Sequence, residues 1–112
     1  MNEKLVVVWT SGDKDVAKNM VFMYTLNAKK RGWFEDVTFI VWGPSSKLLS
    51  EDAELQESLR EMRDEGVSLE ACLRCAENYG VVEDLKNLGI DVKLMGQPLS
   101  EYLKEDRKVI TF

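Results

Sequence analysis

The sequence has no histidine among its 112 residues, and this absence removes several classes of site. Neither a Ser-His-Asp triad nor a Cys-His pair can be built without an imidazole. A zinc site needs four ligands, and the two cysteines present would have to recruit carboxylates or a second subunit. We therefore predict no metal site and no cofactor. Any acid–base chemistry falls to carboxylates, lysines, tyrosines or the thiols themselves.

Long apolar runs and a strong positive charge are also missing. No apolar stretch approaches the roughly 20 residues that a membrane helix requires, and the first residues lack the pattern of a secretion signal. We therefore predict no membrane partner and a cytoplasmic location. The formal net charge of −5 leaves no basic stripe for phosphates, so we expect no nucleic-acid partner. Nucleotide fingerprints of the P-loop or dinucleotide type do not occur.

The chain does contain a regular alternation of strand-like and helix-like segments. Strands are predicted over residues 4–9, 36–42, 67–71, 91–95 and 108–112, and helices over 16–30, 51–65, 72–79, 82–88 and from Pro98 onward. Ser50 is predicted to cap the second helix. This order predicts a single domain over residues 1–112, a three-layer α/β/α sandwich with a mostly parallel five-stranded sheet, flavodoxin-like in general layout.

Two helices have apolar stripes that we expect to face the core. The stripes are Ala17, Val21, Tyr24 and Ala28, widened by Met20 and Met23, in the first helix, and Leu99, Tyr102 and Leu103 in the last.

In parallel sheets, ligand sites form beyond the carboxyl ends of the strands. The loops predicted to lie at that edge supply the candidate binding residues. These are Thr10, Ser11, Gly12, Gly43, Pro44, Ser45 and Gly96, together with Arg74 beside the cysteines.

Both cysteines fall in the segment 66–80, which has the pattern of a strand followed by a short helix. Cys72 and Cys75 are predicted to lie in the first turn of that helix, where unpaired N–H groups and the helix dipole favour a thiolate. A lowered pKa would make such a cysteine a better nucleophile. Arg74 adds positive charge, which Glu70 and Glu77 oppose. The same spacing also fits an ordinary core face, in which small cysteines pack as apolar residues.

The pattern Gly66-Val67-x-Leu69-x-x-Cys72, followed by a short helix and Gly80-Val81, resembles the DsrE/DsrF-like sulfur-relay family. The similarity extends over the whole chain. It implies a parallel five-stranded sheet between helical layers and a homo-oligomer, commonly a trimer or hexamer. It also implies that Cys72 accepts sulfane sulfur as a persulfide from a donor protein and passes it to an acceptor.

The role of Cys75 is left open by the resemblance. It could resolve a persulfide, form a disulfide with Cys72, or only pack. Three hypotheses follow for the function. The protein is a sulfur carrier with Cys75 in an accessory role, a Cys72–Cys75 redox switch, or an oligomeric binding module without catalysis.

Overall fold

The computed structural model describes residues 3–112 and contains five strands separated by helices. The strands are β1 (Lys4–Trp9), β2 (Asp36–Val41), β3 (Ser68–Cys72), β4 (Asp91–Lys93) and β5 (Lys108–Thr111). The helices are α1 (Lys14–Val16), a π-helical segment (Ala17–Val21), α2 (Phe22–Lys30), α3 (Ser45–Glu51), α4 (Ala53–Asp64), α5 (Leu73–Tyr79), α6 (Val82–Asn87) and α7 (Gly96–Lys104).

The sheet has the strand order β4-β3-β2-β1-β5, and each neighbouring pair is parallel. The predicted three-layer fold with a parallel five-stranded sheet is therefore confirmed. β1 and β2 lie inside the sheet, and each has five consecutive buried residues after an exposed first residue. Strands covered on both faces have this continuous apolar character because neither face meets water.

The order of the strands decides which helices cover each face. From β1 to β4 the chain steps across the sheet in one direction, so right-handed connections place α1 to α4 and α6 on the same face. The connection after β4 returns to the opposite edge and places α7 on the second face. Each face has its own apolar core. The core under α7 contains the buried Val6, Val8, Ile40, Cys72 and Met95.

The first helix is interrupted by the π-helical segment Ala17–Val21. A π turn contains one residue more than an α turn, so it rotates the residues that follow it relative to a regular helix. Thr25 is fully buried as a result, whereas the predicted Tyr24 is only half-buried. The prediction that Met20 and Met23 widen the buried stripe is wrong, since their side chains are 44% and 53% exposed.

The predicted cap at Ser50 is wrong, because residues 45–51 already form α3. Ser50 donates its hydroxyl to the carbonyl of Lys47 at 2.7 Å. Asp52 takes the capping position instead. Its backbone is extended, and its Oδ1 accepts the N–H of Leu55 at 2.9 Å, which satisfies an otherwise unpaired donor of α4.

The last helix also differs from the prediction. Gly96 is its first residue, so Gly96 is helical and Pro98 is the third residue of the helix. Proline is tolerated there because the first turn does not need its N–H. Leu99 and Tyr102 are half-buried against the sheet. The prediction that Leu103 is buried is wrong, since it is 54% exposed and nothing in the described chain covers that side of α7.

Candidate functional site

Cys72 lies where β3 ends and α5 begins. Its backbone is still extended, with φ −72° and ψ 115°, and it is the N-cap residue of α5. The chain turns into a helix at the next residue, which brings the N–H of Cys75 to 3.5 Å from Cys72 Sγ. The sulfur therefore accepts one of the unpaired N–H groups of the first turn. At the other end, Gly80 closes the helix with a left-handed φ of +69°, as a helix C-terminus favours.

The two cysteines differ in burial. Cys72 is only 6% exposed and belongs to the apolar core under α7. Cys75 is half-buried and packs at the border of the same core, as does Trp42. Both are free thiols. Cys75 is thus the more accessible residue of the pair, and Cys72 lies behind it.

The surroundings of Cys75 favour its protonated form. Burial raises the pKa of the Cys75 thiol, and the neighbouring Cys72 sulfur raises it further, whereas a hydrogen bond from the Gly43 N–H opposes the shift. The same contacts indicate that the Cys75 thiol faces the Cys72 sulfur and that the turn after β2 adjoins the pair. Gly43 is therefore the candidate binding residue that the structure brings directly to the cysteines.

The other candidate residues after β1 and β2 meet one another and hold that edge of the sheet together. Thr10 donates its hydroxyl to the carbonyl of Phe112 at 2.8 Å, and Ser45 donates its hydroxyl to the carbonyl of Trp9 at 2.6 Å. The N–H of Ser45 also donates to the carbonyl of Thr10 at 3.1 Å. These hydroxyls bind backbone carbonyls, which gives them a structural role in closing the loops.

The remaining candidates of these two loops line or flank a small cleft. Gly12 faces Pro44, and a Cβ atom at position 12 would lie 3.4 Å from the Pro44 Cβ. The cleft beside them has a volume of about 310 Å³ and is also lined by Lys47 and Glu51. Ser11 accepts the N–H of Asp13 on its hydroxyl oxygen at 3.1 Å, at the start of α1.

Arg74 and Gly96 lie apart from the sulfur atoms. The Arg74 side chain is 75% exposed, and its Nε is 3.9 Å from Glu77 Oε1. An exposed pair of this kind contributes little, and it directs the guanidinium to a partner on its own helix. Gly96 is exposed at the start of α7, with no atom within 4 Å of a Cβ built at that position.

A buried charge cluster under α7 was not found from the sequence. Glu70 is 8% exposed and lies on the same face of β3 as Cys72. Its Oε1 accepts the hydroxyl of Tyr102 at 2.7 Å, and its Oε2 is 2.7 Å from Lys93 Nζ. Lys93 also contacts Asp91 at 2.9 Å, and its backbone is in register with Cys72. The sequence signal that could have revealed this cluster is Glu70 itself, a carboxylate between Leu69 and Ala71 on a strand that is buried on both faces.

Both partners of Glu70 stay protonated at neutral pH. Hydrogen bonds to Glu70 and Asp91 raise the pKa of Lys93. Burial, followed by the hydrogen bond to Glu70, raises the pKa of Tyr102 to about 12. The phenol therefore donates and the ammonium compensates the buried carboxylate, as buried charges require. Arg107 stacks on the outer face of the Tyr102 ring, 4.4 Å from its centroid.

An apolar groove of about 410 Å³ lies between α7 and the sheet, close to Trp42. Its lining is Val8, Thr10, Trp42, Leu99, Leu103, Val109 and Thr111. Residues 3–112 contain no cluster of three acidic or cysteine side chains that could hold a metal ion. Over the same range, no helix has the length and apolar character to cross a membrane.

A family model for DsrE/DsrF-like proteins matches residues 3–112. The chain belongs to the DsrE/DsrF-like family. No curated protein matches it. Among solved structures, this DsrE/DsrF-like chain is similar to a conserved protein of unknown function from Bacteroides thetaiotaomicron, with 44% identity, a TM-score of 0.94, and coverage of 98% of this chain and 95% of that one.

Two more distant structures share the fold of this DsrE/DsrF-like protein. A protein of unknown function from Methanobacterium thermoautotrophicum has 19% identity and a TM-score of 0.77, over 97% of this chain and 98% of that one. The ychN protein from E. coli has 13% identity and a TM-score of 0.74, with 100% of both chains covered.

Proposed function

We propose that this DsrE/DsrF-like protein is a sulfur-relay component that accepts sulfane sulfur as a persulfide on Cys72 and passes it on, with Cys75 as the accessory thiol. Membership of the family suggests sulfur relay at the family level. The observation that carries the residue assignment is the placement of Cys72. Its sulfur lies at the carboxyl end of β3, 3.5 Å from a backbone N–H, next to a second thiol.

Persulfide transfer requires few groups besides the Cys72 sulfur and its neighbours. A Cys72 thiolate attacks the outer sulfur of a donor persulfide, the donor sulfur–sulfur bond breaks, and the donor leaves as a thiolate. The Cys75 N–H lies 3.5 Å from Cys72 Sγ and donates to it. The same contact is available to the persulfide. No imidazole is needed at any step, which agrees with a chain that has none.

The burial of Cys72 limits which donors can reach it. Only 6% of the residue is exposed, and Cys75 and Trp42 are among the partly buried residues that pack against its core. A narrow persulfide group fits this requirement better than a broad protein surface. We therefore expect donor and acceptor proteins to exchange sulfur through the outer atom of the persulfide, which is more accessible than Cys72 Sγ.

We further propose that the protein acts as a homo-oligomer, a trimer or hexamer, in the cytoplasm. Several large apolar side chains are exposed, and contact with other copies would cover them. They are Val16, Met20, Met23, Trp33, Leu94, Leu103 and Ile110. Light scattering of the purified protein tests this, and a monomer at micromolar concentration contradicts it.

A second candidate function rests on the same burial. Cys72 packs among Val8, Ile40 and Met95 in a dry core, as a small apolar residue would. In that case the protein is an oligomeric binding module and neither sulfur reacts.

Incubation with a cysteine desulfurase and cysteine, followed by intact-mass analysis, distinguishes the two candidates. The sulfur-relay proposal predicts a gain of about 32 Da, one sulfur atom, in the wild type or in Cys75→Ser, and none in Cys72→Ser. If Cys72→Ser still gains this mass, another residue carries the sulfur and the assignment to Cys72 is wrong. No gain in any form, together with slow alkylation of both thiols, supports the binding module.

A further inference from the structure

The structure holds two thiols side by side, yet a carrier of persulfide sulfur needs one. Cys75 stands at the exposed border of the core, and Cys72 lies behind it at 6% exposure. The burial of Cys72 hinders attack by an external thiol on the inner sulfur of a Cys72 persulfide. Cys75 is already in place, because its own N–H contacts Cys72 Sγ at 3.5 Å.

We propose that Cys75 resolves the Cys72 persulfide within the same chain, releasing the carried sulfur as hydrosulfide and leaving a Cys72–Cys75 disulfide. This inference rests on the proposed persulfide on Cys72 and adds a second outcome at the same site. The protein is then a persulfide reductase as well as a carrier, and the product is free sulfide.

The step balances without another reagent. The Cys75 sulfur gives an electron pair to Cys72 Sγ and forms the new sulfur–sulfur bond. The bond between Cys72 Sγ and the outer sulfur breaks. The outer sulfur leaves with that electron pair and the proton of Cys75, as HS⁻. The two cysteines lose two electrons and the sulfane sulfur gains them, so a dithiol reductant is required only to reset the pair.

The geometry of the pair allows the bond. Cys72 is the extended N-cap residue and Cys75 lies in the first turn of α5, with the Cys75 N–H 3.5 Å from Cys72 Sγ. Cys-x-x-Cys pairs of this spacing form the reversible disulfide of dithiol oxidoreductases. Within one chain the two sulfurs are held at high effective concentration, which favours the internal attack over attack by a free thiol.

The protonation state of Cys75 determines how much of the attacking thiolate is present at a given pH. Burial and the Cys72 sulfur raise the pKa of Cys75, so at neutral pH most of it is thiol and the attacking thiolate is scarce. A small thiolate fraction slows the internal attack near pH 7. Each unit rise in pH below that pKa increases the thiolate fraction of Cys75 about tenfold.

The test loads the reduced wild type and the Cys75→Ser variant with inorganic polysulfide. Excess reagent is removed, and intact mass and free sulfide are then followed at pH 7 and pH 8. We expect Cys75→Ser to keep a gain of about 32 Da. The wild type should lose it at least about tenfold faster, ending about 2 Da below the reduced mass with one sulfide released per chain.

Cys75→Ala is a second variant, which separates the loss of the thiol from any effect of the serine hydroxyl. A wild-type persulfide that survives as long as that of Cys75→Ser, with no sulfide released, overturns the inference and leaves the carrier proposal standing. If neither Cys75 variant gains sulfur, the persulfide on Cys72 itself is refuted. The two failures are therefore distinguishable.

Discussion

Replacing Tyr102 by phenylalanine tests whether the buried charge cluster fastens α7 to the sheet. The substitution removes the hydroxyl that donates to Glu70 at 2.7 Å and keeps the ring on which Arg107 stacks. A hydrogen bond to a charged group contributes about 1.5–3 kcal/mol. Lys93 remains 2.7 Å from the other carboxylate oxygen, so we expect the lower end, about 1.5 kcal/mol.

Urea unfolding followed by circular dichroism measures this loss. With a slope of about 1.5 kcal/mol per molar urea, the midpoint should fall by about 1 M. The matched control is Tyr79→Phe, which makes the same chemical change on a side chain that is 41% exposed. We expect that control to lie within about 0.5 kcal/mol of the wild type.

The alkaline pH dependence gives an independent readout. The folded state raises the pKa of Tyr102 from 10.0 to about 12. Between these values the unfolded chain has lost the phenolic proton and the folded chain keeps it, so the stabilisation is complete below pH 10 and is lost as the pH rises toward 12. The wild type should therefore lose more stability than Tyr102→Phe over this window. Equal midpoints for Tyr102→Phe and Tyr79→Phe, with parallel alkaline curves, would refute the reasoning.

Three further predictions concern the core, a helix end and the thiols. Leu59→Ala removes a fully buried side chain of α4 and should lower the free energy of unfolding by about 2–5 kcal/mol. Leu103→Ala, at a position that is 54% exposed, should change it by less than about 0.5 kcal/mol. Similar urea midpoints for the two variants would contradict this. Gly80→Ala places a residue with a side chain at a left-handed φ of +69° and should lower the free energy of unfolding by about 1–2 kcal/mol. Gly96→Ala, in a helix with open space around the new methyl group, should be neutral or slightly stabilising in thermal melts. Alkylation of Cys75, mapped by peptide mass analysis, should still accelerate about tenfold from pH 8 to pH 9, since its pKa is raised above 9.0. A rate that begins to level off in this range would show an ordinary or lowered pKa.

The alternation of strands and helices was predictable because the periodicity of apolar residues is a local property of the chain. β1 and β2 have long apolar runs, and the helical region between them buries Ala17, Val21 and Ala28 at the predicted spacing. Cys72 was predicted in the first turn of the helix, whereas it is the last residue of β3 and the N-cap of α5. Its location at the carboxyl edge of the sheet followed from the order of the elements, since sites in parallel sheets lie at that edge.

The contacts that complete the site were not predictable in this way. Glu70, Lys93 and Tyr102 come from three separate elements, and their meeting depends on the strand order and on which face α7 covers. The exposure of Leu103 was also not predictable from the sequence. Its helix is amphipathic, but periodicity alone does not say how much of an apolar stripe the rest of the chain will cover.

The π-helical segment between α1 and α2 has a consequence for comparing related chains. Its hydrogen-bonded ring accommodates one residue more than an α-helical ring. A relative with one residue fewer between positions 16 and 22 could form an uninterrupted α-helix and still present Phe22 and Ala28 to the sheet. A single-residue gap in an alignment at this place would therefore mark a change of local winding, with both flanking segments kept in their orientation.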